Sequence, residues 1–214
     1  MPAVLGRLAR PTVVAAAVLA AASCGQVART GRSPAFLIID SLQAASGATP
    51  SQFGGTLNSD VITLVEQTVN GQQVRVPTVF NDLGRAALRL GLKDPGTSSN
   101  PNSPSPLNEI TVNRYRVQFR RADGRNTAGV DVPYGFDGAV TATIGTGTAV
   151  TVGFELVRHQ MKQEPPLRNL QNAGGANIIS TICEVTFYGR DQAGNEVTVV
   201  GTISVNFGDF GDPQ

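Results

Sequence analysis

The chain has 214 residues, of which 41% are hydrophobic and 15% are charged, and its formal net charge is +1. This length suits one sizeable domain or two small ones, and the nearly balanced charge excludes a general attraction to nucleic acid. Abundant glycine (24 residues) and proline (13 residues), with no tryptophan, are typical of a turn-rich β protein rather than of a disordered one.

The first 23 residues are predicted to be a cleaved export signal. Arg7 and Arg10 make a basic start without any acid, and an apolar run follows from about Val13 to Ala22. This run of ~10 residues is too short to cross the hydrocarbon core of a bilayer as a helix, which takes about 20 residues. A basic start, a short apolar core and small residues at its end are typical of a secretory signal peptide.

The end of this segment, Leu19-Ala20-Ala21-Ala22-Ser23-Cys24-Gly25, resembles the lipobox of bacterial lipoproteins. The resemblance implies cleavage before Cys24, acylation of its thiol, and a lipidated tether over residues 24–34. Ala21 departs from the leucine that is usual in that family. Gly25 is not an aspartate, which in the family favours sorting to the outer membrane. We therefore expect a lipid-anchored protein of the cell envelope, with plain secretion as the alternative.

The two cysteines fit this interpretation. If Cys24 is acylated, Cys183 has no partner for a disulfide. Cys183 lies in an apolar strand pattern, so we expect its side chain to be buried and inert. In a simply secreted protein, a Cys24–Cys183 disulfide would be the alternative.

The first half of the domain is predicted to contain a strand, a loop and a hairpin. Phe36–Asp40 is a dense apolar run of strand length, and Ala45–Asn58 is rich in Gly, Ser, Thr and Pro, which indicates a loop. The runs Val61–Val69 and Val74–Phe80 flank Asn70-Gly71. This dipeptide is the strongest short signal for a β-hairpin, because both residues of its turn need a positive φ.

The middle of the chain contains a strand and a long loop. Arg85–Lys93 is rich in residues that favour helices, but Ala86, Leu88 and Leu90 recur with a period of two, which favours a strand. Asp94–Leu107 carries four prolines among Ser and Asn and is predicted to be a long exposed loop or a linker.

The second half is predicted to be a series of strands. Asn113–Arg121 alternates between apolar and basic residues. Val140–Ile144 and Val150–Val157 lie on either side of a glycine-rich turn. Ile178–Tyr188 begins the final hairpin, and the strand after its turn places these residues on one face: Val197, Val199, Gly201, Ile203, Val205 and Phe207.

The turn of that hairpin, FYGRDQAGNEV at Phe187–Val197, resembles the last hairpin of bacterial immunoglobulin-like and fibronectin-III-like domains. The series of short strands and turns, with no long helical period, independently predicts an all-β sandwich. We therefore expect an antiparallel, immunoglobulin-like β-sandwich of about 8–9 strands over residues 35–214. A split into two domains at residues 94–107 is the alternative.

Few residues could carry chemistry. His159 is the single histidine, and it ends a strand pattern as an ordinary exposed residue. Asp191 with Asn195, and Asp209 with Asp212, could ligate Ca²⁺, but turn formation is the plainer interpretation. No nucleophile elbow or phosphate loop is present in the sequence. We expect no enzymatic activity, no cofactor and no metal.

The candidate binding residues are Arg114, Arg116 and Arg120, which share the basic face of one predicted strand. Arginine suits bidentate contacts to phosphate, such as those of lipopolysaccharide. The alternative is a charged face that keeps an outer sheet soluble. The sequence thus favours a non-enzymatic structural or protein-interaction module of the envelope, with its partner at the loops 45–58 and 94–107. A carbohydrate- or polyanion-binding module is the second hypothesis.

Overall fold

The computed structural model describes residues 31–210, and strands dominate this part of the chain. The predicted signal segment and Cys24 lie outside the described residues. In chain order the strands are β1 (Ala35–Ala45), β2 (Thr56–Asp60), β3 (Thr63–Val69), β4 (Gln72–Thr78), β5 (Asp82–Leu92), β6 (Gly96–Thr97), β7 (Asn100–Pro101), β8 (Ile110–Arg120), β9 (Phe136–Ile144), β10 (Val150–Val157), β11 (Ile179–Asp191) and β12 (Glu196–Gly208). A short helix α1 (His159–Lys162) follows β10, and 3₁₀ turns cover Pro106–Asn108 and Leu167–Leu170.

Eight of these strands form the two layers of a sandwich. The small sheet has the strand order β1-β5-β10, and the large sheet has the order β2-β12-β11-β8-β9. Two further hairpins, β3-β4 and β6-β7, form sheets of their own. The prediction of an all-β sandwich is confirmed.

The two sheets pack face to face through aromatic side chains. The ring of Phe154 on β10 lies 5.1 Å from that of Tyr115 on β8 and 5.3 Å from that of Phe187 on β11, measured between centroids. The same Phe154 ring covers Gly84 of β5, where any side chain would overlap it. Aromatic pairs of this geometry add to the stability that their buried area provides.

The period-two patterns of the sequence correspond to the buried and exposed faces of the strands. On β5, Ala86, Leu88 and Leu90 are buried while Arg85 and Arg89 are exposed. On β8 the apolar face is buried and the arginine face looks outward, as predicted. Every strand of the sandwich contributes residues of one face to the buried core, from Ala35 on β1 to Phe207 on β12. Strand β9 also contributes, at its end.

Both predicted hairpins are present. Asn70 and Gly71 have φ values of 53° and 80°, so the turn between β3 and β4 uses the left-handed conformation for which this dipeptide is suited. Strand β4, which contains Pro77, pairs only with β3, in keeping with an edge position. In the final hairpin, β11 and β12 pair from Ile179↔Phe207 to Arg190↔Glu196.

Two features differ from, or go beyond, the predicted pattern. The loop predicted to run to Asn58 ends earlier, because β2 begins at Thr56 and pairs in parallel with β12. This strand is held by a distant partner rather than by its own apolar pattern. The strands predicted on either side of Gly145 belong to opposite sheets, so residues 145–149 cross from β9 to β10 at the side of the sandwich.

Cys183 is fully buried on β11, as predicted, and its thiol is free. Burial raises the pKa of this thiol far above its ordinary value, so it stays protonated at neutral pH. Within residues 31–210, no helix is both long and apolar enough to cross a membrane.

The turn between β11 and β12 is stabilised by Asp191, whose carboxylate accepts hydrogen bonds from the backbone of Ala193 (3.0 Å) and from the backbone and side chain of Asn195 (both 2.8 Å). Burial alone raises the pKa of Asp191, but hydrogen bonds from Asn195, Ser33 and Ala193 outweigh it and hold the pKa below its ordinary value. The ionised carboxylate therefore stabilises the fold.

We expect Asp191→Ala to lower the free energy of unfolding by about 1–3 kcal/mol near neutral pH, because the three hydrogen bonds within the turn and the one from Ser33 are lost. Because the pKa of Asp191 is lowered in the folded state, its carboxylate stabilises the fold at pH values above its unfolded-state pKa of about 3.9. This contribution disappears as the pH falls through the folded-state pKa. Urea unfolding at about pH 7 and about pH 3 measures both effects. A difference between wild type and variant that stays constant between these pH values would contradict this role.

Candidate functional site

The three arginines predicted as a binding site lie on the outer face of β8, but their surroundings differ. The guanidinium groups of Arg114 and Arg116 both contact Asp137 of β9, at 3.2 and 3.3 Å. Arg114 also lies over the ring of Tyr188, 3.9 Å from its centroid. Arg120 is exposed, and no acid pairs with it among residues 31–210.

A second site, which we name the open-side cleft, lies where β9 and β10 run beside each other. Within the described residues each of these strands pairs with one neighbour only, so each ends its sheet with an edge that no other described strand covers. The cleft has a volume of about 460 Å³. Its walls come from β5, β8, β9 and β10 and from the loop after β1: Phe53, Leu83, Gly84, Arg85, Tyr115, Gly138, Ala139, Gly153, Phe154, Glu155 and Arg158.

Two arginines of the cleft each lie over an aromatic ring. The guanidinium of Arg85 lies 4.1 Å from the centroid of Phe53, and that of Arg158 lies 3.9 Å from the centroid of Phe136. Arg85 donates a hydrogen bond to the amide oxygen of Gln43 at 2.9 Å. In the described part of the chain no carboxylate pairs with Arg85, so its positive charge is not neutralised.

Arg158 connects the two sheets at the open side. It pairs with Glu155 at 3.4 Å, and it donates to the backbone carbonyl of Asp137 on β9 at 3.0 Å. Burial raises the pKa of the nearby Tyr115 hydroxyl, partly opposed by a backbone hydrogen bond at Glu155 and by the charge of Arg158. The hydroxyl of Tyr115 therefore remains protonated, and thus uncharged, at neutral pH.

The polar groups at the end of β10 bond to one another. The amide of Asn81 donates to Glu155 at 2.9 Å. Its oxygen accepts from the backbone of His159 at 2.6 Å and lies 2.9 Å from Nδ1 of the same residue. His159 is exposed, as the sequence suggested, but Asn81 fixes its position. The side-chain amide of Asn81 thus binds both the imidazole of His159 and the carboxylate of Glu155.

A buried ion pair lies next to this cluster. Nζ of Lys162 lies 3.0 Å from Oδ1 and 2.9 Å from Oδ2 of Asp82, and the two side chains are 1% and 0% exposed. The carboxylate also accepts a hydrogen bond from the Ser59 hydroxyl at 2.6 Å and one from the backbone of Gly47 at 2.9 Å. With every oxygen bonded, the pair ties α1 and the loop after β1 to the start of β5.

Sequence reasoning missed the cleft and the ion pair. Arg85 lies on the small sheet, away from the arginine face predicted on β8. Asp82 and Lys162 are 80 residues apart, so no local pattern connects them. One available signal was compositional: Lys162 is one of two lysines in a chain with 15 arginines.

Residues 31–210 contain no group of three or more His, Cys, Asp or Glu side chains that could hold a metal ion. The carboxylate of Asp191 is engaged within its own turn, and Asp212 lies outside the described residues. Comparison with known proteins adds no relative: no protein family, no curated protein and no solved structure matches this chain.

The buried pair gives a prediction about stability. Lys162→Met leaves the Asp82 carboxylate buried without a counter-charge, and removal of one partner of such a pair costs about 3–5 kcal/mol. Urea unfolding measures the loss. The double variant Lys162→Met with Asp82→Asn should lose less than the sum of the two single changes, because the unpaired charge is absent.

Lys93→Met is the matched control, since Lys93 is the other lysine and its exposed ammonium donates a hydrogen bond, within residues 31–210, to the carbonyl of Gly31 alone. We expect this variant to remain within about 0.5 kcal/mol of the wild type. Equal stability of the Lys162→Met and Lys93→Met variants would contradict the role of the pair.

Proposed function

We propose that this protein is a non-enzymatic, lipid-anchored interaction module of a bacterial cell envelope. The lipobox-like sequence ending at Cys24 supports the anchor. The likeness of the last hairpin to those of immunoglobulin-like and fibronectin-III-like domains supports the module, since such sandwiches bind partners through loops and sheet edges. The observation that carries the proposal is the open side of the sandwich, where two free strand edges flank a cleft.

The chemistry of the cleft supports binding rather than turnover. The polar groups with catalytic potential, Glu155 and His159, are hydrogen-bonded through Asn81. Arg158 is occupied with Glu155 and a backbone carbonyl. Such mutual bonding fixes the shape of the surface that a partner would meet.

The loop predicted to meet a partner contributes directly to this surface. Phe53 belongs to the segment 45–58, and its ring forms one wall of the cleft beneath Arg85. The other candidate loop, 94–107, is exposed over nearly its whole length and contains the small β6-β7 hairpin. The first loop is therefore the better supported of the two as part of a binding surface.

A polyanion-binding module is the second candidate function. It is favoured by an excess of guanidinium groups on and beside β8. Arg114 and Arg116 share one carboxylate, and Arg121 and Arg125 share another, that of Asp123. Adjacent positive groups with shared or absent counter-ions suit a phosphate-bearing polymer, which arginine contacts in bidentate fashion.

The interaction hypothesis is tested by chemical crosslinking in intact cells, followed by mass spectrometry. The comparison is between the wild type and a Cys24→Ala variant that carries an ordinary cleavable secretory signal in place of residues 1–23. We expect the wild type to fractionate with membranes and to capture one defined envelope protein. The unanchored variant should be found in the soluble fraction and lose the capture, because the acyl chains provide the attachment.

Retention of the unanchored variant in the membrane fraction would disprove the anchor. Recovery of no specific protein by the anchored form would disprove the protein-interaction function and leave the polyanion hypothesis.

The polyanion hypothesis predicts that Arg114→Ala with Arg116→Ala weakens binding to polyphosphate. The variant should also depend less on salt, because it neutralises fewer phosphates and so releases fewer counter-ions on binding. The matched control is Arg75→Ala, on the separate β3-β4 hairpin. Binding of labelled polyphosphate is measured over a series of salt concentrations. Equal affinity of the double variant and the control would reject this function for the β8 face.

A further inference from the structure

We propose that the open-side cleft binds an extended, acidic segment of the partner protein, which adds as a strand to the free edge of β10. The inference rests on the proposed function and specifies its site and the chemistry of its partner. Strand β10 covers Val150–Val157, and among residues 31–210 it pairs with β5 alone. No described strand occupies the main-chain groups on its other side, which suit the mode of recognition known as β-strand addition.

Gly153 is the feature of β10 that favours such an approach. It lies in the middle of the strand, and no heavy atom outside its chain neighbours lies within 4 Å of the point where a Cβ would stand. A glycine inside a strand weakens it, and it often marks a place where another backbone comes close. Here the missing side chain leaves space that belongs to the cleft.

The charge of the cleft selects the partner. Arg85 lies directly opposite Gly153 in the register of β5 and β10, on the outer face of the small sheet. A residue of an added strand opposite Gly153 would stand two strand spacings from Arg85, about 10 Å. With no side chain between them, the long side chains of an arginine and a glutamate span this distance. An acid at that position would supply the counter-charge that Arg85 lacks.

The remaining charges of the cleft do not favour a basic partner. Glu155 is the acid in the wall, and it is already neutralised by Arg158 and bonded by Asn81. Phe53 and the half-exposed Leu83 provide apolar surface beside the arginines. Because side chains on one face of a strand recur every second residue, the surface suits a segment in which acidic and apolar residues share that face.

The test uses three labelled peptides of eight residues: Thr-Glu-Thr-Val-Thr-Glu-Thr-Val, in which the acidic and apolar residues share one face, and the versions in which Glu is replaced by Gln or by Lys. Binding to the full-length protein is measured by fluorescence anisotropy. Hydrogen exchange of residues 150–157 serves as a second readout, because an added strand protects the edge amides of β10. We expect the Glu peptide to bind at least about tenfold more tightly than the Lys peptide, and to protect β10.

Two variants locate the site. Gly153→Leu fills the cleft in a position where the strand has room for a side chain, so it should retain the fold and abolish binding. Arg85→Gln should weaken the Glu peptide about tenfold and leave the Gln peptide unchanged. The matched control is Arg89→Gln, on the same face of β5, where the arginine is paired with Asp40. This control should bind as the wild type does.

Equal binding of the Glu and Lys peptides would overturn the inference, as would binding that survives Gly153→Leu in a protein whose urea midpoint is unchanged. Absence of saturable binding below about 1 mM overturns it as well. If polyphosphate displaces the Glu peptide equally well from the wild type and from the Gly153→Leu variant, the preference for acids belongs to the β8 face instead. If cellular crosslinking still captures an envelope protein, the interaction function stands and only this site is rejected.

Discussion

The contact between the two sheets at Phe154 is the constraint on which the architecture depends. This side chain meets aromatic rings of two strands in the opposite sheet, and it occupies the space that Gly84 leaves empty on its own sheet. Because its strand is the last of the small sheet, the contact fixes an edge rather than a centre. The edge of β10 and the cleft beside it are thereby held against the large sheet.

The strands that the sequence predicts are those that bury one face. In Arg85–Lys93 and Asn113–Arg121, apolar residues recur at every second position because those positions are buried. The turn at Asn70-Gly71 is predictable because it depends on these two residues themselves. Strand β2 escapes prediction because a distant partner, not its own pattern, stabilises it. The cleft escapes for a related reason: Arg85 and Glu155 become neighbours only through the register of paired strands, which a single sequence does not contain.

The preference for arginine over lysine has a structural basis here. Among residues 31–210, three guanidinium groups lie over aromatic rings, those of Arg85, Arg114 and Arg158. A planar cation can stack and still donate hydrogen bonds at its edge, whereas an ammonium group cannot do both. The deeply buried cation of this part of the chain is instead Lys162, whose compact charge fits against a single carboxylate. Arginine thus stacks on aromatic rings at the surface, whereas the buried lysine neutralises a carboxylate in the core.

The order of strands in the small sheet has a mechanical consequence. Strands β1 and β10 lie at opposite edges of the small sheet, with β5 between them. If the chain is anchored before β1 and binds a partner at β10, as we propose, a pull between the two points would pass across β5 through two ladders of hydrogen bonds. Both ladders run along the strands over many residues, from Ala35↔Leu92 in one and from Val150↔Leu88 in the other. Tension along the strands would load these bonds together rather than one after another, so the sheet would resist such a pull as a unit.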